Sequence, residues 1–404
     1  MQRWTQHVQP PQVQPQVQPR LEKPPKPIFN NYSLLRPRSA FNGFKASDFT
    51  TIYNYPPMPT TPVTIGVTAL GGGLYGTYDP ITKVLTNGDV QKYWTTVCGM
   101  TSLPKVIIVE MEGAKNTPGG AANAVATGEN TMDVTTIGAC YPSSNLTIVM
   151  YLVPNSFTNF YKAFAAGIDG VTVNGQFIKS DVISCSWGLA EKKVGADWCK
   201  YMDSLFARAA KAGITICCAA GDHGSSDGEP GINVDFPASS PNVVACGGTS
   251  LICPNLVWDS FTKETVWNVD PKLSATGGGF SKFFKKPRYQ KSLPGARRAL
   301  PDIAMNADPS TGTLIRVNDQ MDQLWGGTSI VSPAMSAFVA RCRPKQCNLA
   351  TLYKVPSNCF NDITKGNNGL YKARSGFDNC SGRGSLKGVP INNSLSDTAA
   401  RQEQ

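Results

Sequence analysis

The sequence predicts an α/β protein with a mainly parallel central sheet and helices on both faces, and three observations lead there. Five short runs are continuously apolar instead of alternating: Val63 to Leu70, Lys105 to Met111, Leu146 to Val153, Asp181 to Trp187 and Ile214 to Ala220. Strands of that kind belong in parallel sheets covered on both sides. Helical stretches lie between them, and regular alternation of the two types marks a doubly wound sheet. Finally, 404 residues with 41% hydrophobic content, 38 Gly and 30 Pro suit a globular chain rich in turns, not a fibrous or disordered one.

Taken in order, residues 1–45 read as a tail or linker. Alternating Gln, Val and Pro between residues 9 and 28 favour extended, polyproline-like backbone and leave nothing to pack. This stretch is basic, with Arg3, Arg20, Lys23, Lys26, Arg36, Arg38 and Lys45 against the single acid Glu22, a large part of the formal charge of +10. A second run, Lys282 to Arg298, contains no acid. Both are expected to be solvated positive surface; no nucleic-acid motif accompanies them, so no specific nucleic acid is expected. The N-terminus lacks the apolar core of a secretory signal, and the longest apolar runs are too short to span a bilayer. A soluble protein without a classical export signal is expected, with an acid compartment or extracellular release left open.

Residues 46–389 carry the domain pattern and 390–404 read as a polar C-terminal tail. The strand at 63–70 is followed by a helix over Asn87 to Val97, the strand at 105–111 by a helix around GENTMDVTTIGA, and the strand at 146–153 by a helix over Phe157 to Ile168. Asp181 to Trp187 leads to a helix over Trp198 to Gly213, and Ile214 to Ala220 closes the series. In such sheets the chemistry gathers where strand ends enter loops and helices. Ser186–Trp187–Gly188, Ala219 to Asp222 and Ser329 stand at positions of that type. Among the twelve cysteines, Cys185, Cys217 and Cys218 sit inside apolar runs and read as buried thiols. Cys342, Cys347, Cys359 and Cys380 would pair only in an oxidising space.

GGTSIVSPAMSAFVA, Gly326 to Ala340, sets a serine at the entrance to a helix. A serine hydroxyl needs a base, and the chain has two histidines. His7 lies in the tail, and His223 follows Asp222 in a turn; none exists between residues 8 and 222, so a histidine-based triad in the subtilisin order is not expected. Carboxylates are the alternative. Glu129 and Asp133 in GENTMD are spaced i,i+4 on one helical face, where two close acids resist double ionisation and one can orient the other. An acidic pair of this kind is also compatible with an ordinary solvated helix face.

GENTMD, SCSWG, AAGDHGSSDG, VDFPASSPNVVACGGTSL, TGGGFSKFF, PDIAMNADPSTG, GGTSIVSP and NDITKGNN occur in an order that resembles the sedolisins, the serine-carboxyl peptidases, over roughly Ala46 to Val389. The resemblance implies a subtilisin-like single catalytic domain and an acid-active peptidase. It implies that Ser329 is the nucleophile, Glu129 the general base and then acid, and Asp133 its support. A protonated Asp222 would donate to the oxyanion beside the Ser329 N–H. Ser186, Trp187 and Gly188 would pair with an extended substrate, a peptide or unfolded protein, and the enzyme would be a monomer acting as an endopeptidase or in tripeptidyl-peptidase fashion.

The same resemblance implies structural Ca2+ held by carboxylates of Asp362 and Asp378 and carbonyls of Ile363, Arg374 and Gly376, an all-oxygen set suited to a hard cation. Arg374 departs from the Gly common at that place. Ala69, before Leu70-Gly71-Gly72-Gly73, replaces an acid that often feeds the carboxyl network, which bears on the pH optimum. A second reading, from another class, is a catalytically idle structural or peptide-binding protein docked through its basic tail. Retention of Glu129, Asp133, Asp222 and Ser329 argues against it. A nucleic-acid-associated protein is the third; steep loss of binding with salt would mark it.

Overall fold

The computed structural model describes residues 26–27, 43–321 and 323–400. Its strands used below are β1 (Lys26–Pro27), β2 (Val63–Leu70), β3 (Lys105–Glu110), β4 (Leu146–Val153), β5 (Val182–Cys185), β6 (Trp187–Ala190), β7 (Thr215–Ala219), β8 (Asp235–Phe236), β9 (Val244–Ile252), β10 (Lys263–Val266) and β11 (Ile303–Asn306). The helices are α1 (Asp89–Thr96), α2 (Gly120–Cys140), α3 (Phe157–Asp169), α4 (Ala196–Lys211), α5 (Thr328–Arg341) and α6 (Gly388–Ala400).

Among the described residues the main sheet has ten strands, ordered β10-β9-β7-β5-β2-β4-β3 and then the pair Val84–Thr86 and Thr77–Tyr78, with β11 beside β9. The central pairings are parallel, and β10 and the 77–86 hairpin add antiparallel edges. β2 meets β4 residue for residue, from Val63 opposite Leu146 to Leu70 opposite Val153.

The continuous apolar runs have a simple cause. Successive strand residues point to opposite faces, so Ile148, Met150 and Leu152 join one core with α1, α2 and α5, while Val149, Tyr151 and Val153 join a second core with α3 and α4. Each fully buried Val, Leu or Ile contributes about 1.5–3 kcal/mol, so both faces must be apolar. The five predicted strands and four predicted helices are present.

Some boundaries differ from expectation. The run from Asp181 to Trp187 is two strands, β5 and β6, with Ser186 at the break. β9 and β11 were not expected, because Gly247 and Gly248 interrupt the apolar pattern of the first and the second has only four residues. Phe44 is already core, its N–H bound to the Gly312 carbonyl at 2.9 Å. Residues 390–400 of the expected polar tail are instead the end of α6, whose Ile391 and Leu395 are buried against the first core; residues 401–404 lie outside the described residues. All twelve cysteines are free thiols, eleven of them buried.

The basic run ending at Arg298 is not uniformly solvated surface. Arg298 is fully buried and pairs with Asp302 through both guanidinium nitrogens, at 2.6 and 2.5 Å. No helix of the described residues is long and apolar enough to cross a membrane.

Candidate active site

Ser329 is the second residue of α5. Gly327, at φ +101°, turns the chain into that helix through a conformation that a side chain would strain. Pro333 lies four residues beyond Ser329 and has no N–H, so the helix leaves the Ser329 carbonyl without its usual donor. The Ser186 hydroxyl takes that place at 3.1 Å. A proline that looks like a helix defect thus ties the turn carrying Ser329 to the strand break between β5 and β6. Ser332 adds a second tie, donating to the Cys217 carbonyl at 2.9 Å and accepting from the Cys185 N–H at 3.2 Å.

Glu129 and Asp133 project from a part of α2, Thr127 to Cys140, that is buried on every side. They are therefore not on a solvated face. The Ser186 hydroxyl lies closer still to Oδ1 of Asp133, at 2.7 Å, and shares its single hydrogen between that oxygen and the Ser329 carbonyl. Burial pushes the Glu129 carboxyl well above the usual range, and the Asp133 charge adds to it; the hydroxyls of Ser329 and Ser186, close by, oppose the shift. Neither oxygen of Glu129 completes a hydrogen bond of ordinary geometry, so the acid touches Ser329 loosely. Loose contacts of this sort are common before substrate binds. Asp133 is likewise raised by burial and held back by Ser186. The Ser329 hydroxyl donates to the Ser186 carbonyl at 3.4 Å.

Asp222, in the turn after β7, is fixed by the residue before the serine. The N–H and the hydroxyl of Thr328 both donate to its Oδ1 at 2.8 Å, while Oδ2 is buried without a partner. Burial pushes this carboxyl up to about 7 against the two Thr328 donors. A neutral acid with Oδ1 occupied as acceptor carries its proton on Oδ2. His223 packs its ring against Gly228 in the following turn, 3.5 Å from where a Cβ would stand on that glycine.

Ser186, Trp187 and Gly188 stand at the break between β5 and β6 and at the start of β6. β6 pairs with β8 on one side, Leu189 opposite Phe236 and Ala190 opposite Asp235. On its other side Trp187 and Gly188 pair antiparallel with Pro27 and Lys26. Trp187 itself is core, buried with Cys185 and Phe236. A Cβ at Gly188 would stand 2.0 Å from Oδ1 of Asp235, so a side chain there would have to displace that buried carboxyl.

Buried Asp235 and partly exposed Asp227 form a second acidic group that the sequence did not point to. Burial raises both, Asp227 to about 7, and each is raised further by the other acids around it. Ala69 is buried on β2, and the carboxyls bearing on Glu129 are those of Asp133 and Asp222. Thr328 and Pro333 were also missed; both lie within a quoted motif, but their roles depend on partners more than a hundred residues away or on a missing N–H.

The five residues expected around Ca2+ lie in the C-terminal loops, where Asp362 and Asp378 each accept from backbone N–H groups of the 374–376 turn. Asp362 accepts from the Gly376 N–H at 3.0 Å and the Ser375 hydroxyl at 3.1 Å. Asp378 accepts from the Arg374 N–H at 3.1 Å and from Cys380 and Ser381 N–H groups at 2.8 and 2.9 Å. Ile363 is buried beside Val266 and Cys380.

Residues 120–356 match the subtilase family. The chain is 36% identical over 324 residues to kumamolisin of Bacillus sp. strain MN-32, covering 75% of this chain and 56% of that protein. It is 32% identical over 375 residues to sedolisin of Pseudomonas sp. strain 101, covering 85% of this chain and 60% of the relative. The chain thus spans a little over half the length of the curated relatives it matches. Among solved structures, Pseudomonas sedolisin complexed with two molecules of pseudo-iodotyrostatin superposes with a TM-score of 0.72 at 28% identity, covering 89% of this chain and 99% of that one.

Proposed function

Because the chain belongs to the subtilase family and, within it, to the sedolisins, we propose that it is a serine-carboxyl peptidase that hydrolyses peptide bonds in acid. The observation that carries this reading is the burial of Glu129, Asp133 and Asp222 around Ser329, with no histidine among the groups acting on Glu129 in the described residues.

Ser329 attacks the scissile carbonyl as Glu129 accepts its proton. Asp133 acts one step back, since Ser186 is bound to both Asp133 and the Ser329 carbonyl and holds α2 against α5. Negative charge on the carbonyl oxygen is met by the Ser329 N–H and by the proton on Asp222 Oδ2. Such donors, fixed before the reaction, supply stabilisation where charge develops. Glu129 then gives its proton to the leaving amine, and a water hydrolyses the ester by the reverse route. Substrate lies extended along Trp187–Gly188, where backbone pairing provides affinity.

Ca2+, if bound, would be held in the C-terminal loops. Asp362 and Asp378 flank one turn, and with the carbonyls of Ile363, Arg374 and Gly376 they make a hard, all-oxygen set. The ion's contribution would be to hold this turn to the body of the domain, away from the reacting groups.

A pH-rate profile on a denatured protein substrate, comparing the wild-type chain with Ser329→Ala, tests the reading. Acid-side hydrolysis that vanishes in Ser329→Ala supports it. No hydrolysis at any pH, or equal hydrolysis by both, rejects it.

A further inference from the structure

Trp187 and Gly188 serve the half of a substrate that stays on Ser329; the half that leaves departs past Glu129, which returns the proton to its amine. The two halves lie on opposite flanks of α2. Trp187 belongs to the second core, against which Ala126 of α2 packs. Trp325, four residues before Ser329, packs against the first core, and its ring lies over Gly128, the neighbour of Glu129. A Cβ at Gly128 would stand 2.7 Å from that ring. An extended chain whose scissile bond sits between Ser329 and Glu129 therefore runs from the Trp187 flank to the Trp325 flank.

On the Trp325 flank the structure holds a cleft of about 330 Å³. One wall is the first two turns of α2, from Gly120 to Thr127, with the Tyr75 ring at its end beside Gly119. The Gly119 N–H donates to the Thr127 hydroxyl at 3.0 Å and fixes that corner.

The opposite wall is built ahead of any ligand. Thr313 pairs with Trp325 and Leu314 with Leu324, Val317 and Gln320 exchange backbone hydrogen bonds at 3.0 Å, and the Asp319 N–H donates to Asp89 of α1 at 3.2 Å. The charged side chains of this segment are engaged away from the cleft, Asp319 with Lys92 at 2.7 Å and with Arg316 at 3.1 Å. Among the described residues no charged side chain lines the cleft. Its surface is the rings of Trp325 and Tyr75, the aliphatic Ile315 and Val317, and amides such as that of Gln320 at the rim.

From this arrangement we infer that the cleft is a leaving-side subsite that takes a large neutral side chain, aromatic or aliphatic, from the first or second residue after the cut. The inference rests on the peptidase reading and deepens it by naming a substrate class. An aromatic side chain gains both apolar burial and ring contact with Trp325. A charged one loses water and meets no counter-ion. The chemistry is unchanged: the bond to the leaving nitrogen breaks as Glu129 delivers its proton, and the cleft holds the amine fragment until it diffuses away.

The test uses the full-length chain and peptides that share one sequence before the cut and carry Phe, Leu, Gly, Lys or Asp at the first or the second place after it. Mass spectrometry locates each cut, and kcat/KM is measured for each peptide. For the wild type, Phe and Leu are expected to exceed Gly, Lys and Asp by about tenfold or more at one of the two places, as one filled apolar pocket allows. Trp325→Ala should bring Phe down to the level of Gly there, while a parallel series varied before the cut keeps its order. Gln320→Glu, assayed about one unit above the ordinary glutamate value of about 4.3, should raise Lys against Phe by about two- to fivefold, the range of a charge at a solvated rim.

A preference for Phe that survives Trp325→Ala, a wild type indifferent to the residues after the cut, or a change confined to the series varied before the cut overturns the inference alone. If Trp325→Ala loses every peptide equally, Gln320→Glu decides: a rise for Lys supports the inference and no rise overturns it. A wild-type chain that cleaves none of the peptides overturns it together with the peptidase reading.

Discussion

Thr328 gives both its N–H and its hydroxyl to one oxygen of Asp222, each at 2.8 Å, and it is the residue immediately before Ser329. Asp222 and Ser329, proposed as oxyanion donor and nucleophile, are therefore positioned by the same first turn of α5. The hydroxyl of Thr328 also accepts from the Gly221 N–H at 3.1 Å, which closes the turn after β7 onto that helix.

The first prediction concerns the proton on Asp222. Asp222→Ala is expected to lower kcat by about 10²–10³-fold, as removal of one oxyanion donor does elsewhere. Asp222→Asn keeps an acceptor for Thr328 and a neutral donor, so it should retain more activity. In wild type the activity should fall as pH rises through about 7, where Asp222 loses its proton. In Asp222→Asn that limb should move or flatten. A pH-rate profile of the three proteins reads this directly.

Removing the base should act on rate more than on fold. Glu129→Ala is expected to lose about 10²–10⁴-fold in kcat, the usual worth of general acid–base catalysis. Ser329→Ala should fall to background, with far-UV circular dichroism unchanged in both. Near-wild-type turnover by Glu129→Ala would remove Glu129 from the mechanism.

The buried acids also predict how stability depends on pH. Asp222, Glu129 and Asp133 all have folded-state values above those of an unfolded chain. The folded protein therefore holds more protons than the unfolded one between the two values, and stability must decline as pH rises through that window. For Asp222 the window runs from the ordinary 3.8 up to about 7. The melting temperature should be higher in acid than at neutrality, and the triple variant Glu129→Gln, Asp133→Asn, Asp222→Asn should flatten the decline.

Arg298 and Asp302 form a pair with side-chain exposure of 0% and 2%. Losing one partner strands the other charge in the interior, at a cost of about 3–5 kcal/mol. Asp302→Ala should therefore reduce the urea midpoint sharply. Tyr353 also donates to Asp302, at 2.7 Å, so Tyr353→Phe should cost less, about 1–3 kcal/mol, than loss of the carboxylate.

If Ca2+ holds the C-terminal loops, chelation should lower the melting temperature and added Ca2+ should restore it. Asp362→Asn should blunt both responses. An unchanged melting temperature counts against the site formed with Asp378.

Much of this molecule was legible before any coordinates. The strands from Val63 and Leu146 read directly because both faces of a parallel sheet are apolar, and α3 and α4 read because each buries a single face. That Glu129 and Asp133 share one helical face followed from their spacing, while a role for them came only from the resemblance. β9 escaped notice because two glycines interrupt it, and α6 because its buried Ile391 and Leu395 lie in an otherwise polar stretch.

What the amino-acid order determined by itself was local: strand and helix periods, the i,i+4 acids, and the want of a histidine in the place a conventional triad needs one. Only tertiary structure decided which acids lose water and which serine meets them. Ser186 touches Asp133 and the Ser329 carbonyl across separations of 53 and 143 residues. The charge state of a carboxyl is set by the dielectric and donors around it. Those are supplied by packing between distant segments, and no short stretch of sequence contains them.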